Sequence, residues 1–272
     1  MVEILEFLNG QMEKPTLYGW FHLLSLAIVI IGAVIAAVKF KNISEQNLRI
    51  VLIVFSVVLL LFEVYKQLIF SYQANWDYQW YAFPFQFCST PMYVGLVAGI
   101  TKNSRFRESL VAFLGTYGLF SGTAVMFYPS TVFVETIGIN IQTMIHHGSM
   151  AVIGVGLLAA KVKSQPQSII RAGAVFAVLM LMAMAMNELF NRYIHDGVFN
   201  MFFINPLFEN AIPILSLFQP IVSHQMFLLL YFFGFSLCAF ILLGIKILIE
   251  HLVLNRARKT RKTFLKRNHA IR

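Results

Sequence analysis

Charge is what this chain is short of: 12% of its 272 residues are Asp, Glu, Lys or Arg, where a soluble domain carries about 25%. With 58% hydrophobic residues and a mean hydropathy of +0.73, that deficit excludes a soluble globular domain and a disordered chain alike. Cysteine is scarce too. Cys88 and Cys238 are the two present, and they fall at depths too different for disulfide geometry. Both are expected to be free thiols, and Cys238, in the run Ser236-Leu237-Cys238-Ala239-Phe240, reads as packing. There is no Gly-rich phosphate loop, no His-Glu-x-x-His box and no dinucleotide fingerprint, so no metal and no other cofactor is expected. The first residues carry Glu3 and Glu6 and no basic stretch, so a cleavable signal peptide is not expected. The lack of an internal repeat argues against a transporter built from inverted halves.

What is present is apolar length. Seven runs alternate with short loops: Leu17–Val38, Ile50–Ser71, Phe83–Ile100, Ser109–Phe127, Ile139–Ala160, Ile169–Leu189 and Ile221–Leu248. A run of about 20 apolar residues crosses a bilayer core as a helix, and a helix satisfies its own backbone there. The expected fold is all-α: a polytopic membrane protein with a seven-transmembrane-helix bundle. The third run is short and carries Pro84 and Pro91 near its start. One membrane domain is expected over 1–250, followed by a basic tail over 251–272.

Of the 21 Lys and Arg, 17 fall in every second connection or in the tail. These are Lys39, Lys41 and Arg49; Lys102, Arg105 and Arg107; Lys161, Lys163 and Arg171; and eight from Arg256 to Arg272. The other side holds Lys14 and Arg192. Positive-inside bias then puts the N-terminus outside and the C-terminus in the cytoplasm, as a multi-pass protein of the cell membrane. The net charge of +9 is a topology signal. It does not point to nucleic acid, and the basic tail is expected to touch anionic lipid.

With that orientation, ionisable and polar groups collect near the outer face, where burial in a membrane makes them functional candidates. Glu63 and Lys66 lie three residues apart on one helix face, with Gln67 beside them. Gln86 and Cys88 open the third run, followed by Ser89 and Thr90; His146 and His147 lie on the fifth; Asn187 and Glu188 close the sixth. A thiol at a helix start next to an imidazole is a nucleophile–base pair, and Glu63 or Glu188 could orient the imidazole. Against this, a lone membrane cysteine is most often packing, and a mutual pair accounts equally for Glu63 and Lys66. The outer loop 190–220 is too apolar for a free loop and is expected to lie across the mouth or dip into it. Gly95/Gly99 and Gly118/Gly122 favour close helix contact within the bundle.

The stretch Phe83-Pro84-Phe85-Gln86-Phe87-Cys88-Ser89-Thr90 resembles the Pro-x-x-x-Cys-Ser segment of the YwaF-like integral membrane proteins of bacteria. Met144-Ile145-His146-His147-Gly148 resembles their His-Gly segment, and Asn200-Met201-Phe202 with Pro206 their Asn-Tyr-Met-Phe…Pro loop, without the Tyr. That family is similar to a eukaryotic transmembrane acyltransferase of ether phospholipids and, distantly, to the androgen-induced membrane hydrolases. The resemblance implies Cys88 as acyl-accepting nucleophile and His147 as base, with Thr90 as the alternative nucleophile. Where relatives often carry His two residues before the Cys, this chain has Gln86, which can hydrogen-bond but not act as a base.

The functional expectation is an integral membrane lipid acyltransferase or hydrolase using a Cys–His pair near the outer face. Its catalytic candidates are Cys88, His147, Glu63 and Glu188; its binding candidates are Lys66, Gln86, His146, Asn187 and Asn200. The 27 Phe and 12 Met suit phospholipid acyl chains as partners, but such residues are more often ordinary core and lipid-facing filling. The alternative is a non-enzymatic transport, binding or assembly protein. A through-pore is disfavoured because the inner halves of the runs are nearly all apolar.

Overall fold

The computed structural model describes residues 2–194, 196–210 and 212–269, with the side chains of Val2 and of 256–269 excepted. It is all-helical, with one isolated β-bridge between Gln11 and Thr136 among the described residues. In chain order the helices are α1 (Val2–Leu8), α2 (Trp20–Lys39), α3 (Glu45–Gln73), α4 (Thr90–Ile100), α5 (Ser104–Phe127), α6 (Ile137–Ala160), α7 (Pro166–Tyr193), α8 (Leu215–Phe218) and α9 (His224–His269). Their starts follow local chemistry. The Ser44 hydroxyl accepts the Asn47 N–H at the head of α3, the Asn103 side chain accepts the Phe106 N–H at the head of α5, and Pro166 opens α7.

Six of these helices are long and apolar enough to cross a membrane: α2, α3, α5, α6, α7 and α9 as far as Asn255. The third expected span is the exception. Only Thr90–Ile100 of Phe83–Ile100 is helical, 11 residues or about 16 Å of rise. Pro91 cannot donate to the carbonyl of Phe87, and its ring would collide with it, so α4 cannot extend back through Cys88. Phe83–Ser89 instead descends as an irregular segment of tight turns.

The apolar surface is divided between core and exterior. On α2, Leu23, Leu24, Ile28, Ile31 and Ile35 are each more than half exposed, the outward face of a helix made for hydrocarbon. On α5 the run Leu110–Leu119 is buried throughout, so this helix is the centre of the bundle. It packs against both α6 and α7, while α2 lies on α6 and α4 on α3. Two glycines set the closest approaches. A Cβ on Gly95 would stand 2.5 Å from Ser56 Oγ of α3, and one on Gly122 would stand 2.7 Å from the His147 carbonyl oxygen of α6. The bundle therefore uses these positions for contact between its own helices. Within α5, Leu114–Gly118 forms one π-helical turn beside Pro91, a local widening of the helix.

The two ends of the bundle differ in charge. At one end Lys163 and Arg171 both pair with Glu108 (2.9 and 2.6 Å), Arg107 pairs with Glu45, and the Lys161 ammonium donates to the Ile43 carbonyl. The basic residues of three connections thus gather there. The side chains of Arg256, Arg258, Lys259, Arg261, Lys262, Lys266, Arg267 and Arg272, expected to touch anionic lipid, lie outside the described residues. The opposite end is tied by neutral bonds, such as Gln73 to Thr136 and Tyr65 to the Leu8 carbonyl.

Candidate functional site

The neutral end holds the buried polar groups. On α3 the Glu63 carboxylate is 4% exposed and accepts from the Lys66 ammonium at 2.8 Å and from Gln67 Nε2 at 2.7 Å. Gln67 also donates to the Ala82 carbonyl at 2.6 Å, which fastens α3 to the segment that leads to Cys88. Charges this deep are held by partners, because a bare carboxylate there costs several kcal/mol. Glu63 lies ten residues from the end of α3, about 15 Å down the helix.

Cys88 sits in the turn before α4 and is half-buried. The turn is closed by Ser89 N–H to Gln86 O at 2.8 Å and by the Thr90 hydroxyl to Phe87 O at 2.8 Å. Thr90, the alternative nucleophile, is therefore fully buried with its hydroxyl already committed.

Two imidazoles approach from α6. His146 Nε2 lies 2.9 Å from the Cys88 carbonyl oxygen, and His147 Nδ1 lies 2.9 Å from the Thr143 carbonyl oxygen. A carbonyl only accepts, so each of these nitrogens carries the proton, which fixes both neutral tautomers. The lone pairs are then on His146 Nδ1 and His147 Nε2. Both atoms are buried with no hydrogen-bond partner, as is Glu63 Oε2. Native proteins rarely leave such atoms unsatisfied, and those that do so mark a ligand, a water or a reactive site. His146 joins the Cys88 turn to His147, whose ring centroid lies 5.2 Å from its own, and Glu63 and Lys66 act electrostatically on both Cys88 and His146.

The other sequence candidates do something different. Gln86 donates from Nε2 to the Asn200 carbonyl and accepts the Phe202 N–H, each at 2.9 Å. Asn187 grips Met201 in the same two-sided way, at 3.1 and 2.8 Å. Asn200 accepts the Asn205 N–H and donates to the Glu209 carbonyl. These three residues hold a plug. The loop dips into the bundle, and Phe202 is fully buried among Phe85, Phe87, Phe176 and Tyr231. Phe202 and Phe203 sit at φ 59° and 56°, a left-handed conformation that costs a bulky residue about 1–3 kcal/mol and persists only where surroundings enforce it. Glu188 is apart from both groups: its side chain is 58% exposed, with the carboxylate on Arg192 at 2.6 Å.

The sequence reading missed Tyr231, which α9 places in the aromatic core with no exposure and no partner for its hydroxyl. Its ring stacks on Phe235, which in turn meets Phe87, the residue before Cys88. In sequence it is one more ring in Tyr231-Phe232-Phe233, and nothing separates it from its neighbours there. A further feature, an open apolar groove of about 720 Å³ on α1, α3 and α6, has none of Glu63, Cys88, His146 or His147 in its lining. It is lined by Phe7, Leu8, Val58, Phe62, Tyr65 and Ile141 among others. No cluster of metal-ligating side chains is found among the described residues.

No curated protein and no solved structure matches this chain. The family model described as the TMEM164 family matches residues 17–250.

Proposed function

The chain belongs to the TMEM164 family, and on that premise we propose that it is an integral membrane enzyme that transfers or hydrolyses lipid acyl groups through Cys88. The observation that carries the proposal is the pair of imidazoles with fixed tautomers, each leaving a buried, unpartnered lone-pair nitrogen in the cluster that contains Cys88. His146 holds the backbone of the nucleophile. His147, through Nε2, is the base. Glu63, tied to Lys66, acts electrostatically on His146, the imidazole that holds the Cys88 turn.

In the reaction the Cys88 thiol gives its proton to His147 Nε2, and the sulfur attacks the ester carbonyl of a phospholipid acyl chain. The tetrahedral intermediate collapses to a thioester, and the proton passes from His147 to the departing lysolipid oxygen. A second lysolipid, an alcohol or water then takes the acyl group from sulfur. The likeness of the Cys88 and His147 segments to the YwaF-like bacterial proteins and to the eukaryotic ether-phospholipid acyltransferase supports the same chemistry. For topology we propose seven crossings, with Phe83–Ser89 and α4 together making the third, the N-terminus outside and the basic end in the cytoplasm of the cell membrane. The proposed partners are membrane phospholipids and, at the basic tail, anionic lipid.

The test is intact-protein mass spectrometry of the chain purified with phospholipids, beside Cys88→Ala. A hydroxylamine-labile acyl mass on the wild type and absent from the variant supports the reading. No adduct on either, even with His147→Ala slowing turnover, would leave a non-enzymatic binding or assembly protein with a structural thiol.

A further inference from the structure

An acyl transfer through Cys88 builds negative charge on the former carbonyl oxygen, and a site for it needs a hydrogen-bond donor that has no other acceptor. The side-chain donors suggested by sequence each already hold an acceptor. The Lys66 ammonium is on Glu63 at 2.8 Å. Gln86 donates to the Asn200 carbonyl, and its amide is built into the seat of the plug. In the turn, the N–H groups of Ser89 and Thr90 return to the Gln86 and Phe87 carbonyls.

Tyr231 is the contrasting case. Its ring stacks on Phe235 at 4.6 Å, and Phe235 meets Phe87, the residue before Cys88, edge-on at 4.8 Å. Phe176, Phe202 and Phe227 cover the rest of it. The side chain is fully buried, and its hydroxyl has no acceptor. Buried tyrosines ordinarily find one, as Tyr117 does in the same core by donating to Ser236 Oγ at 2.8 Å. A phenol carried this deep, one ring away from the Phe87 that precedes Cys88 and left without an acceptor, is a donor waiting for one that arrives with the substrate.

Resting on the acyl-transfer reading above, we infer that Tyr231 is a catalytic residue, donating its O–H to the ester carbonyl oxygen of the lipid as Cys88 attacks. The phenol keeps its proton throughout. The thiol proton still travels to His147 and on to the leaving lysolipid oxygen, so the step balances without another group. The ligand class is an oxyester of a fatty acid, with the carbonyl oxygen directed toward α9 and the acyl chain toward apolar surface.

The experiment measures the rate at which a hydroxylamine-labile acyl adduct forms on the full chain in phospholipid nanodiscs, for wild type, Tyr231→Phe, Tyr117→Phe and Cys88→Ala. Removing one oxyanion donor slows such a step about 100-fold. Tyr231→Phe is expected to lower the maximal acylation rate by about that factor. Half-saturation by lipid and the rate of Cys88 alkylation by iodoacetamide are expected to stay unchanged. Tyr117→Phe, which removes a hydroxyl of the same core, is expected to acylate at the wild-type rate. Wild-type acylation by Tyr231→Phe overturns the inference while leaving Cys88 in place, and so does an equal slowing by Tyr117→Phe, which would mark a packing effect. An adduct that persists in Cys88→Ala overturns the acyl-transfer reading itself, and the role of Tyr231 with it.

Discussion

The imidazole of His146 donates from Nε2 to the backbone carbonyl of Cys88 at 2.9 Å, joining residues 58 apart in the chain. Pro91 has no N–H to offer the Phe87 carbonyl, and the next one, that of Met92, goes to the Ser89 carbonyl and not to that of Cys88. By forcing α4 to start at Thr90, Pro91 leaves the Cys88 turn outside the helix, and the turn then takes its support from α6. His146→Leu should leave that carbonyl short of a partner and lower stability by about 1–3 kcal/mol. His146→Gln, which retains a donor, should lose less. Thermal unfolding in detergent checks the order, and equal losses for the two variants would show that the hydrogen bond is not what matters there.

The plug is held in a strained conformation by two amides. Gln86 and Asn187 each make one donor and one acceptor bond to residues 200–202, and Phe202 is kept at φ 59° by them. Gln86→Leu or Asn187→Leu leaves two backbone groups unpaired, at about 1–3 kcal/mol each. Faster amide hydrogen exchange is expected over 199–205 with the helices unchanged. Protection of that loop at the wild-type level in both variants would mean that the aromatic contacts of Phe202 alone hold it.

Much of the bundle was legible in the sequence because hydrocarbon imposes one rule along a whole helix: length and apolarity. Six spans are read by that rule, and the basic residues gather at one end as their alternation implies. Phe83–Ile100 was readable only in part. Its composition suits a span, yet Pro84 and Pro91 act through backbone geometry that hydropathy does not register. For the site, depth along each helix placed Cys88, His146, His147, Glu63 and Lys66 in one layer; of these, His146 contacts the Cys88 carbonyl and the His147 ring, and Lys66 pairs with Glu63. Depth carries no rotational or contact information, so it could not show that Gln86, Asn187 and Asn200 serve the plug. Nor could it show that Glu188, one residue on from Asn187 and so about 100° around α7, points outward to Arg192. Tyr231 was hidden because a hydroxyl amid phenylalanines reads as one more ring.

The Glu63–Lys66 pair tests whether the polar layer is held by charge. Removing one partner of a buried pair costs about 3–5 kcal/mol, whereas replacing both by apolar groups of similar volume is often neutral. Lys66→Met should therefore destabilise strongly, and Glu63→Leu combined with Lys66→Met should recover most of the loss. A double variant as unstable as the single one would mean that the bond from Gln67 to Glu63 matters more than the ion pair.

Orientation is open to direct chemical labelling. Neither Lys41 nor Asp77 pairs its side chain in a buried contact, and they lie in the connections at opposite ends of α3. In a variant with Cys88 and Cys238 replaced by Ala, Asp77→Cys in intact cells should react with a membrane-impermeant maleimide. Lys41→Cys should react only after permeabilisation. The reverse pattern would invert the proposed topology and place the Cys88 cluster near the cytoplasmic face.

Gly122 and Gly234 differ in what a methyl group would meet. A Cβ at Gly122 would stand 2.7 Å from the His147 carbonyl oxygen and 2.9 Å from the Ala151 nitrogen, backbone atoms that cannot swing aside. At Gly234 nothing lies within 4 Å. Gly122→Ala should therefore push α5 off α6 at the level of the histidines, lowering stability by about 1–3 kcal/mol and slowing Cys88 acylation with it. Gly234→Ala carries only the helix-propensity term, which favours alanine by about 1 kcal/mol, so unfolding temperature should stay level or rise. Both variants are read by the same thermal scan. If Gly122→Ala is as stable and as active as wild type, the contact between α5 and α6 does not position His147.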